Sequence, residues 1–111
     1  MPPAYIGEFE QLLLLAVLRL GVEAYGADIA RELDARAGRG VSRGALYTSL
    51  DRLEGKGLLR WKPAPGTAAR NGLPRRAYAV TAAGLKTLRA SRATLQRMWH
   101  GLEHLLEDPA R

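Results

Sequence analysis

Cysteine is absent from this chain of 111 residues, so the sequence excludes a disulfide framework and a thiolate metal site. It also lacks a long hydrophobic run, because the longest, Leu12 to Leu18, is far shorter than the roughly 20 residues that a membrane-spanning helix needs. The opening residues, MPPAYIGEFE, have neither the basic start nor the apolar centre of a signal peptide. We therefore expect a cytoplasmic protein with no membrane partner.

Patterns typical of enzymes are absent as well. The sequence contains no nucleophile elbow with Ser, His and Asp partners, no phosphate-binding glycine loop and no acidic pair in an apolar setting. It therefore predicts a protein that is not an enzyme and has no cofactor. His100 and His104, four residues apart, could hold a transition metal, but two ordinary surface histidines explain them adequately. No metal site is predicted.

Positive charge is concentrated in the middle of the chain. Residues 1–35 carry two arginines against six acidic residues, a net charge of −4, whereas residues 36–76 carry ten cationic residues against two acidic ones, a net charge of +8. Residues 77–111 add +2, which gives the chain its net charge of +6. Such clustering is typical of a surface that binds a polyanion, although a solvated basic face without function is the alternative.

The middle of this basic segment predicts a helix with two unlike faces. Ser42 is suited to cap its start, because a serine hydroxyl can accept a free backbone N–H of the first turn. Leu46, Leu50 and Leu53 follow at helical spacing and form an apolar stripe. The opposite face carries cationic, aromatic and hydrogen-bonding side chains, namely Arg43, Tyr47, Thr48, Asp51 and Arg52. A helix of this kind suits insertion into the major groove of DNA.

The flanking segments complete a winged helix-turn-helix. We predict helices over residues 7–20 and 26–36, the second joined by a glycine-bearing linker to the helix that Ser42 caps. Two strand-like segments, Leu58 to Lys62 and Arg75 to Val80, enclose a stretch rich in Pro and Gly that predicts a hairpin with a long, mobile tip. Residues 7–80 are therefore predicted to form a DNA-binding domain, preceded by a disordered N-terminus at residues 1–6.

The last segment predicts a long helix, residues 81–106, that packs against a second subunit. Its apolar residues recur with a period of 3.5, the pattern of helices that pack lengthwise. The first helix is apolar nearly all round and also needs a covering surface. The predicted fold class is thus mainly α with a small β-hairpin, a winged helix-turn-helix plus a C-terminal dimerisation helix, with a frayed tail at residues 107–111. The predicted dimer interface comprises Leu15, Leu18, Leu88, Leu95, Trp99, Leu102 and Leu106.

Short motifs along the chain carry a resemblance to a known family. They are Tyr25-Gly26, the run Gly44-Ala45-Leu46-Tyr47 with Leu50, Arg52 and Leu53, then Gly57-Leu58, Gly72, Pro74-Arg75-Arg76 with Tyr78, and finally Thr81 and Gly84. The chain resembles the PadR family of bacterial transcriptional regulators, in particular its shorter subgroup with a single C-terminal helix. The resemblance implies a homodimeric repressor that binds a palindromic operator in double-stranded DNA.

The predicted DNA contacts lie on the central helix and in the hairpin. Arg43 is assigned to guanine edges or phosphate, and Tyr47 and Thr48 to bases or backbone. The hairpin arginines are expected to hold phosphates and to reach a minor groove. The complete set is Tyr25, Ser42, Arg43, Gly44, Tyr47, Thr48, Arg52, Arg70, Arg75 and Arg76. Two alternatives stay open, since Tyr47 could be a half-buried packing residue and Arg52 could pair with Asp51 or Glu54.

By the same resemblance, an effector pocket between the subunits would bind an aromatic or cationic small molecule. Leu12, Arg92, Leu95 and Trp99 would line it, and Tyr5 would close it. From the residues alone, Arg92 could equally form a salt bridge across the dimer, and Trp99 could serve dimer packing. Two other functions also stay open, a winged-helix module that binds proteins and a basic RNA-binding protein without sequence-specific DNA binding.

Overall fold

The computed structural model describes residues 6–107, apart from the side chain of Ala69. These residues form helices and one antiparallel hairpin. Three helices come first, α1 (Glu8–Leu20), α2 (Gly26–Ala37) and α3 (Arg43–Gly55). The strands β1 (Leu59–Ala64) and β2 (Arg75–Val80) form the hairpin, and α4 (Ala82–Trp99) follows it. This order confirms the predicted fold class, mainly helical with a winged helix-turn-helix. No helix in the described ranges is both long and apolar enough to cross a membrane.

The start and the buried face of α3 confirm the sequence prediction. The Ser42 hydroxyl accepts the Ala45 N–H at 3.2 Å, which caps the first turn. Leu46, Leu50 and Leu53 are buried in the core, so the side chains on the opposite face point away from it. The rest of that core is aliphatic apart from one tyrosine, and α1, α2, α4 and both strands contribute to it. Its members include Leu13, Leu14, Val17, Ile29, Leu33, Leu59, Tyr78 and Leu88.

The hairpin, called the wing below, is attached to the helices along one edge. Trp61 lies opposite Tyr78 in the register, and the Tyr78 N–H donates to the Ala24 carbonyl at 2.9 Å. The tip, predicted to be long and mobile, contains a short 3₁₀ turn at Ala68–Arg70. Gly66 permits this fold, because a Cβ there would lie 2.1 Å from the Leu73 carbonyl oxygen.

The predicted extent of the last helix was wrong. The α-helix ends at Trp99, where Gly101 takes a φ of +87°, and a separate 3₁₀ turn follows at Glu103–Leu106. The Glu103 carboxylate accepts the Gly101 N–H at 2.9 Å, which stabilises this turn. A left-handed backbone at a glycine ends a helix at little cost, so the period of 3.5 does not continue along one helix to Leu106.

The predicted disorder of residues 1–6 fails at its last residue. Ile6 is only 2% exposed and packs in the core, because burial of an apolar side chain is favourable. Residues 1–5, Tyr5 of the predicted effector pocket among them, lie outside the described residues, as do residues 108–111 of the predicted tail. Glu107 is described and exposed.

The junction between β1, β2 and α4 rests on close backbone packing. Thr81 caps α4 by accepting the Gly84 N–H at 3.0 Å, and its hydroxyl donates to the Gly57 carbonyl at 2.7 Å. Gly84 sits so close to the preceding turn that an added Cβ would lie 2.2 Å from the Leu58 carbonyl oxygen. Glycine is therefore required at this position for packing, although it is a weak helix former.

We predict that Gly84→Ala lowers the free energy of unfolding by about 1–3 kcal/mol, the usual effect of overpacking a tight site. The loss should appear even though alanine favours a helix over glycine by about 1 kcal/mol. Thermal or urea unfolding measures it. Gly55→Ala is the matched control, because its added Cβ would have no atom within 4 Å, and it should be neutral or stabilising. Equal stability of the two variants would contradict the packing described here.

Candidate nucleic-acid interface

The solvent face of α3 carries one continuous stripe. Arg43, Tyr47 and Asp51 follow one another at steps of four residues, so they lie on one side of the helix. The Arg43 guanidinium lies 5.8 Å from the centre of the Tyr47 ring. Thr48 and Arg52 are exposed beside this stripe. The helix therefore keeps a cationic, aromatic and hydrogen-bonding surface in water while its leucines are buried.

A cleft of about 320 Å³ separates this stripe from the wing. Four guanidinium groups and one carboxylate surround it, and this arginine cleft is lined by Arg43, Tyr47, Asp51, Arg70, Pro74, Arg75 and Arg76. The fold thus brings together residues of the central helix and of the wing that are far apart in the sequence. Four arginines on a concave surface create a positive potential that suits phosphate groups.

Arg75 is fixed in place by two contacts at one end of the arginine cleft. Its guanidinium lies 3.8 Å from the centre of the Tyr25 ring, and its Nε donates to the Pro65 carbonyl at 3.2 Å. Tyr25 directly precedes α2 and is half-buried. The predicted site residues Tyr25 and Arg75 are therefore neighbours, and the ring orients the guanidinium by a cation–π contact.

Arg76 connects the wing to α3. Its Nη1 lies 3.2 Å from Asp51 Oδ1, and its guanidinium lies 4.2 Å from the centre of the Trp61 ring. Both side chains of the ion pair are substantially exposed, so the pair contributes at most about 1 kcal/mol. Tyr78 lies beneath this group: burial raises the pKa of the Tyr78 phenol, and the nearby Arg76 charge opposes that rise. Trp61 and Tyr78 thus serve hairpin packing.

Arg70 stabilises the tip of the wing. Its Nη2 donates to the Pro74 carbonyl at 3.1 Å and its Nε to the Leu73 carbonyl at 3.4 Å. These bonds use two of the guanidinium N–H donors to close the loop. The predicted phosphate contact by Arg70 would therefore have to use the remaining donors, and it stays a prediction. Leu73 is exposed at the tip.

Tyr47 has the packing role that the sequence left open, and it lines the arginine cleft as well. The residue is half-buried and contacts the core, and a Cβ on Gly26 would lie 2.1 Å from its hydroxyl oxygen. Gly26 therefore provides the space in which the ring lies across the start of α2. This requirement explains why a glycine opens that helix.

The remaining predicted site residues are exposed around the start and middle of α3. Ser42 is exposed in addition to capping the helix, and Gly44 has open space around its Cα. Arg52 forms no ion pair within residues 6–107, neither with Glu54 nor with Asp51, which is paired with Arg76. Sequence reasoning left Asp51 and Pro74 out of the site, although the step of four from Tyr47 to Asp51 already placed Asp51 on the same stripe.

A second concave surface lies between α1 and α4, at the predicted effector pocket. This α1–α4 groove is open and has a volume of about 750 Å³. Its lining is Gln11, Leu15, Leu18, Leu85, Leu88, Arg89, Arg92, Leu95, Gln96, Trp99, His100, Glu103 and Leu106. Arg92, Leu95 and Trp99 are therefore brought together as predicted, whereas Leu12 packs against the core and does not line the groove.

The predicted dimer residues differ in how much surface they leave free. Four of them, Leu15, Leu18, Leu95 and Trp99, are each at least 40% exposed. Together they form an exposed apolar patch along the groove, and such a patch is typical of an interaction surface. Leu88, in contrast, is already buried in the core of its own chain. Leu102 and Leu106 are exposed but lie beyond the end of α4, and of the two only Leu106 lines the groove.

Comparison with known proteins identifies the family. The model of the PadR-like family of transcriptional regulators matches residues 14–90, from the middle of α1 to the middle of α4. This chain belongs to the PadR family. It is thus related to transcriptional regulators, as its sequence motifs indicated. The comparison with curated proteins found no match.

Solved structures of PadR proteins share the fold. A PadR-like transcription factor from Bacteroides fragilis is 30% identical, with 87% of this chain and 88% of that chain covered and a TM-score of 0.69. A PadR-family regulator from Eggerthella lenta is 31% identical, with 90% and 87% covered and a TM-score of 0.65. Bacillus subtilis PadR, solved in complex with operator DNA, is 21% identical, with 75% and 47% covered and a TM-score of 0.61.

Proposed function

We propose that this PadR-family chain is one subunit of a homodimeric repressor that binds a palindromic operator in duplex DNA and releases it when a small molecule occupies the α1–α4 groove. Family membership points to a non-enzymatic regulator. Such a protein acts where the DNA is, in the cytoplasm. The DNA-binding, dimerisation and release parts rest on different surfaces and are argued separately.

The arginine cleft beside the exposed face of α3 is the observation that carries DNA binding. Arg43 stands in the first turn of α3, where a guanidinium can reach guanine in the major groove by two hydrogen bonds. Arg75 and Arg76 stand across the cleft on β2, where they can contact the sugar-phosphate backbone. The DNA complex of Bacillus subtilis PadR supports a duplex as the ligand of this fold.

The exposed apolar residues of the α1–α4 groove support a second copy of this chain as its occupant. Leu15 and Leu18 stand on α1 opposite Leu95 and Trp99 on α4, so two chains related by a twofold axis can bury both rows at once. The twofold axis would also place two α3 helices on one face of the duplex. An operator read by such a dimer is palindromic, with half-sites about ten base pairs apart.

The composition of the same groove supports a ligand with an aromatic or cationic group. Its volume of about 750 Å³ lies within the range of small-molecule sites. Trp99 offers a ring for stacking, and Glu103 offers a carboxylate for a cation. Such a ligand would bind between the subunits. It would release the DNA only if it binds the DNA-free arrangement of the dimer more tightly than the DNA-bound one.

Selection from a randomised duplex pool tests DNA binding. We expect an inverted repeat to be enriched, and we expect Arg43→Ala to weaken binding to the selected duplex by about 1–3 kcal/mol, the value of one guanine contact. Fluorescence anisotropy measures this loss. Arg97→Ala is the matched control, because it removes the same charge from α4 outside the arginine cleft, and its effect should be small. Sequence-blind binding by the wild type would instead favour the RNA or protein partners that the sequence left open.

Sedimentation of the full chain tests dimerisation. Leu15→Glu places a charge in the α1–α4 groove, so it should convert the dimer to a monomer without unfolding it, because Leu15 is exposed in the single chain. Leu73→Glu changes an exposed leucine at the wing tip, away from the groove, and should leave the dimer intact. A wild-type monomer, or equal effects of the two variants, would refute the proposed interface.

Tryptophan fluorescence tests the effector part. In a Trp61→Phe background Trp99 is the only tryptophan, so planar aromatic cations that enter the groove should quench its emission and lower the affinity for the selected duplex. Unchanged emission and affinity across a broad panel would leave the chain as a regulator without an effector of this class.

A further inference from the structure

Among residues 6–107, Asp51 is the one acidic side chain that lines the arginine cleft. It continues the stripe of Arg43 and Tyr47, so it faces the same ligand as they do. A carboxylate in this position repels phosphate groups, which makes it costly in a surface that only has to attract DNA. Glu54, by comparison, lies on the same helix but outside the cleft. The position of Asp51 therefore needs an explanation that general DNA attraction does not supply.

The partner of Asp51 is a cation that DNA could use. Arg76 is held by the Asp51 carboxylate at 3.2 Å and by the face of Trp61 at 4.2 Å. While it is paired, its charge is neutralised, so it adds little to the attraction of a phosphate. Because both side chains are largely exposed, the pair is weak and can be exchanged for other partners.

A carboxylate on this stripe also has a partner among the bases. In the major groove, aspartate can accept a hydrogen bond from the amino group of cytosine. A sequence that presents this amino group would take over Asp51 and free Arg76 for a phosphate, with Trp61 still supporting the guanidinium. A sequence without it would leave the ion pair closed. The two residues could thus couple base recognition to backbone binding.

We propose that Asp51 is a specificity-determining residue, which withholds Arg76 from the phosphates of other DNA and releases it on the operator by accepting a base-edge hydrogen bond. The inference rests on the proposed DNA binding and adds a selective role for an acidic residue. It concerns the difference between the affinity for the operator and the affinity for other DNA. Specificity can be reached by weakening the complex with other DNA as well as by strengthening the complex with the operator.

Asp51→Asn tests the inference, with Glu54→Gln as the matched control for the loss of one negative charge on α3. Both variants and the wild type are titrated against a random-sequence duplex and against the duplex selected by the wild type, at several salt concentrations. We expect Asp51→Asn to tighten binding to the random duplex by about five- to tenfold at 0.1 M salt and to steepen its salt slope by about one, the signature of one added phosphate contact. Its salt slope on the selected duplex should not change, because Arg76 is already free there.

The other variants sharpen the result. Asp51→Glu keeps the carboxylate and should keep the wild-type salt slope on random DNA, whereas Glu54→Gln should leave both slopes unchanged. Equal effects of Asp51→Asn and Glu54→Gln, or an equal gain by Asp51→Asn on both duplexes, would overturn the inference. Failure of the wild type to select any duplex would overturn the proposed function instead, so the two failures are distinguishable.

Discussion

Burial of the leucine stripe of α3 is the constraint on which the rest of the structure depends. Once Leu46, Leu50 and Leu53 are in the core, the rotation of the helix is set, and Arg43 and Asp51 must face water, while Tyr47 lies at the edge of the core. Each fully buried leucine contributes roughly 1.5–3 kcal/mol, so turning the helix over would cost far more than its surface contacts return. The presentation of a polar face thus follows from packing on the opposite one.

The wing is organised around the same helix by weaker, exposed contacts. Its arginines are held by a ring, by carbonyl oxygens and by one carboxylate, with Arg75 against Tyr25 and Arg76 against Trp61 and Asp51. The ring and the carbonyl oxygen orient the Arg75 guanidinium without neutralising it, so its charge stays available to an anion, whereas the Asp51 carboxylate neutralises Arg76 while the two are paired. The buried core therefore positions the site, whereas weaker contacts that can be exchanged for a ligand line it.

The features that could be predicted from the sequence depend on local chemistry. The cap by Ser42 and the stripe of α3 each involve residues within one or two helical turns, and the structure confirms both. The end of α4 was missed because periodicity does not report the left-handed backbone of Gly101. The burial of Ile6 was missed because a single apolar residue carries no period.

The contacts within the arginine cleft were beyond sequence reasoning for a different reason. Asp51 and Arg76 are separated by 25 positions, and nothing in the pattern of either segment specifies their pairing. The same holds for Gly26, whose need for a missing side chain becomes visible only when Tyr47 lies across it. Sequence patterns located the surface, whereas its internal contacts required the fold.

The central claim is that α3 and the wing together form the DNA-binding face of this PadR-family chain. NMR chemical-shift mapping on the full chain, with and without a duplex selected from a random pool, tests it most directly. The account predicts shifts concentrated in the first three turns of α3 and in the arginine side chains of the wing. Shifts confined to α1 and α4, or no shifts on saturating DNA, would contradict it.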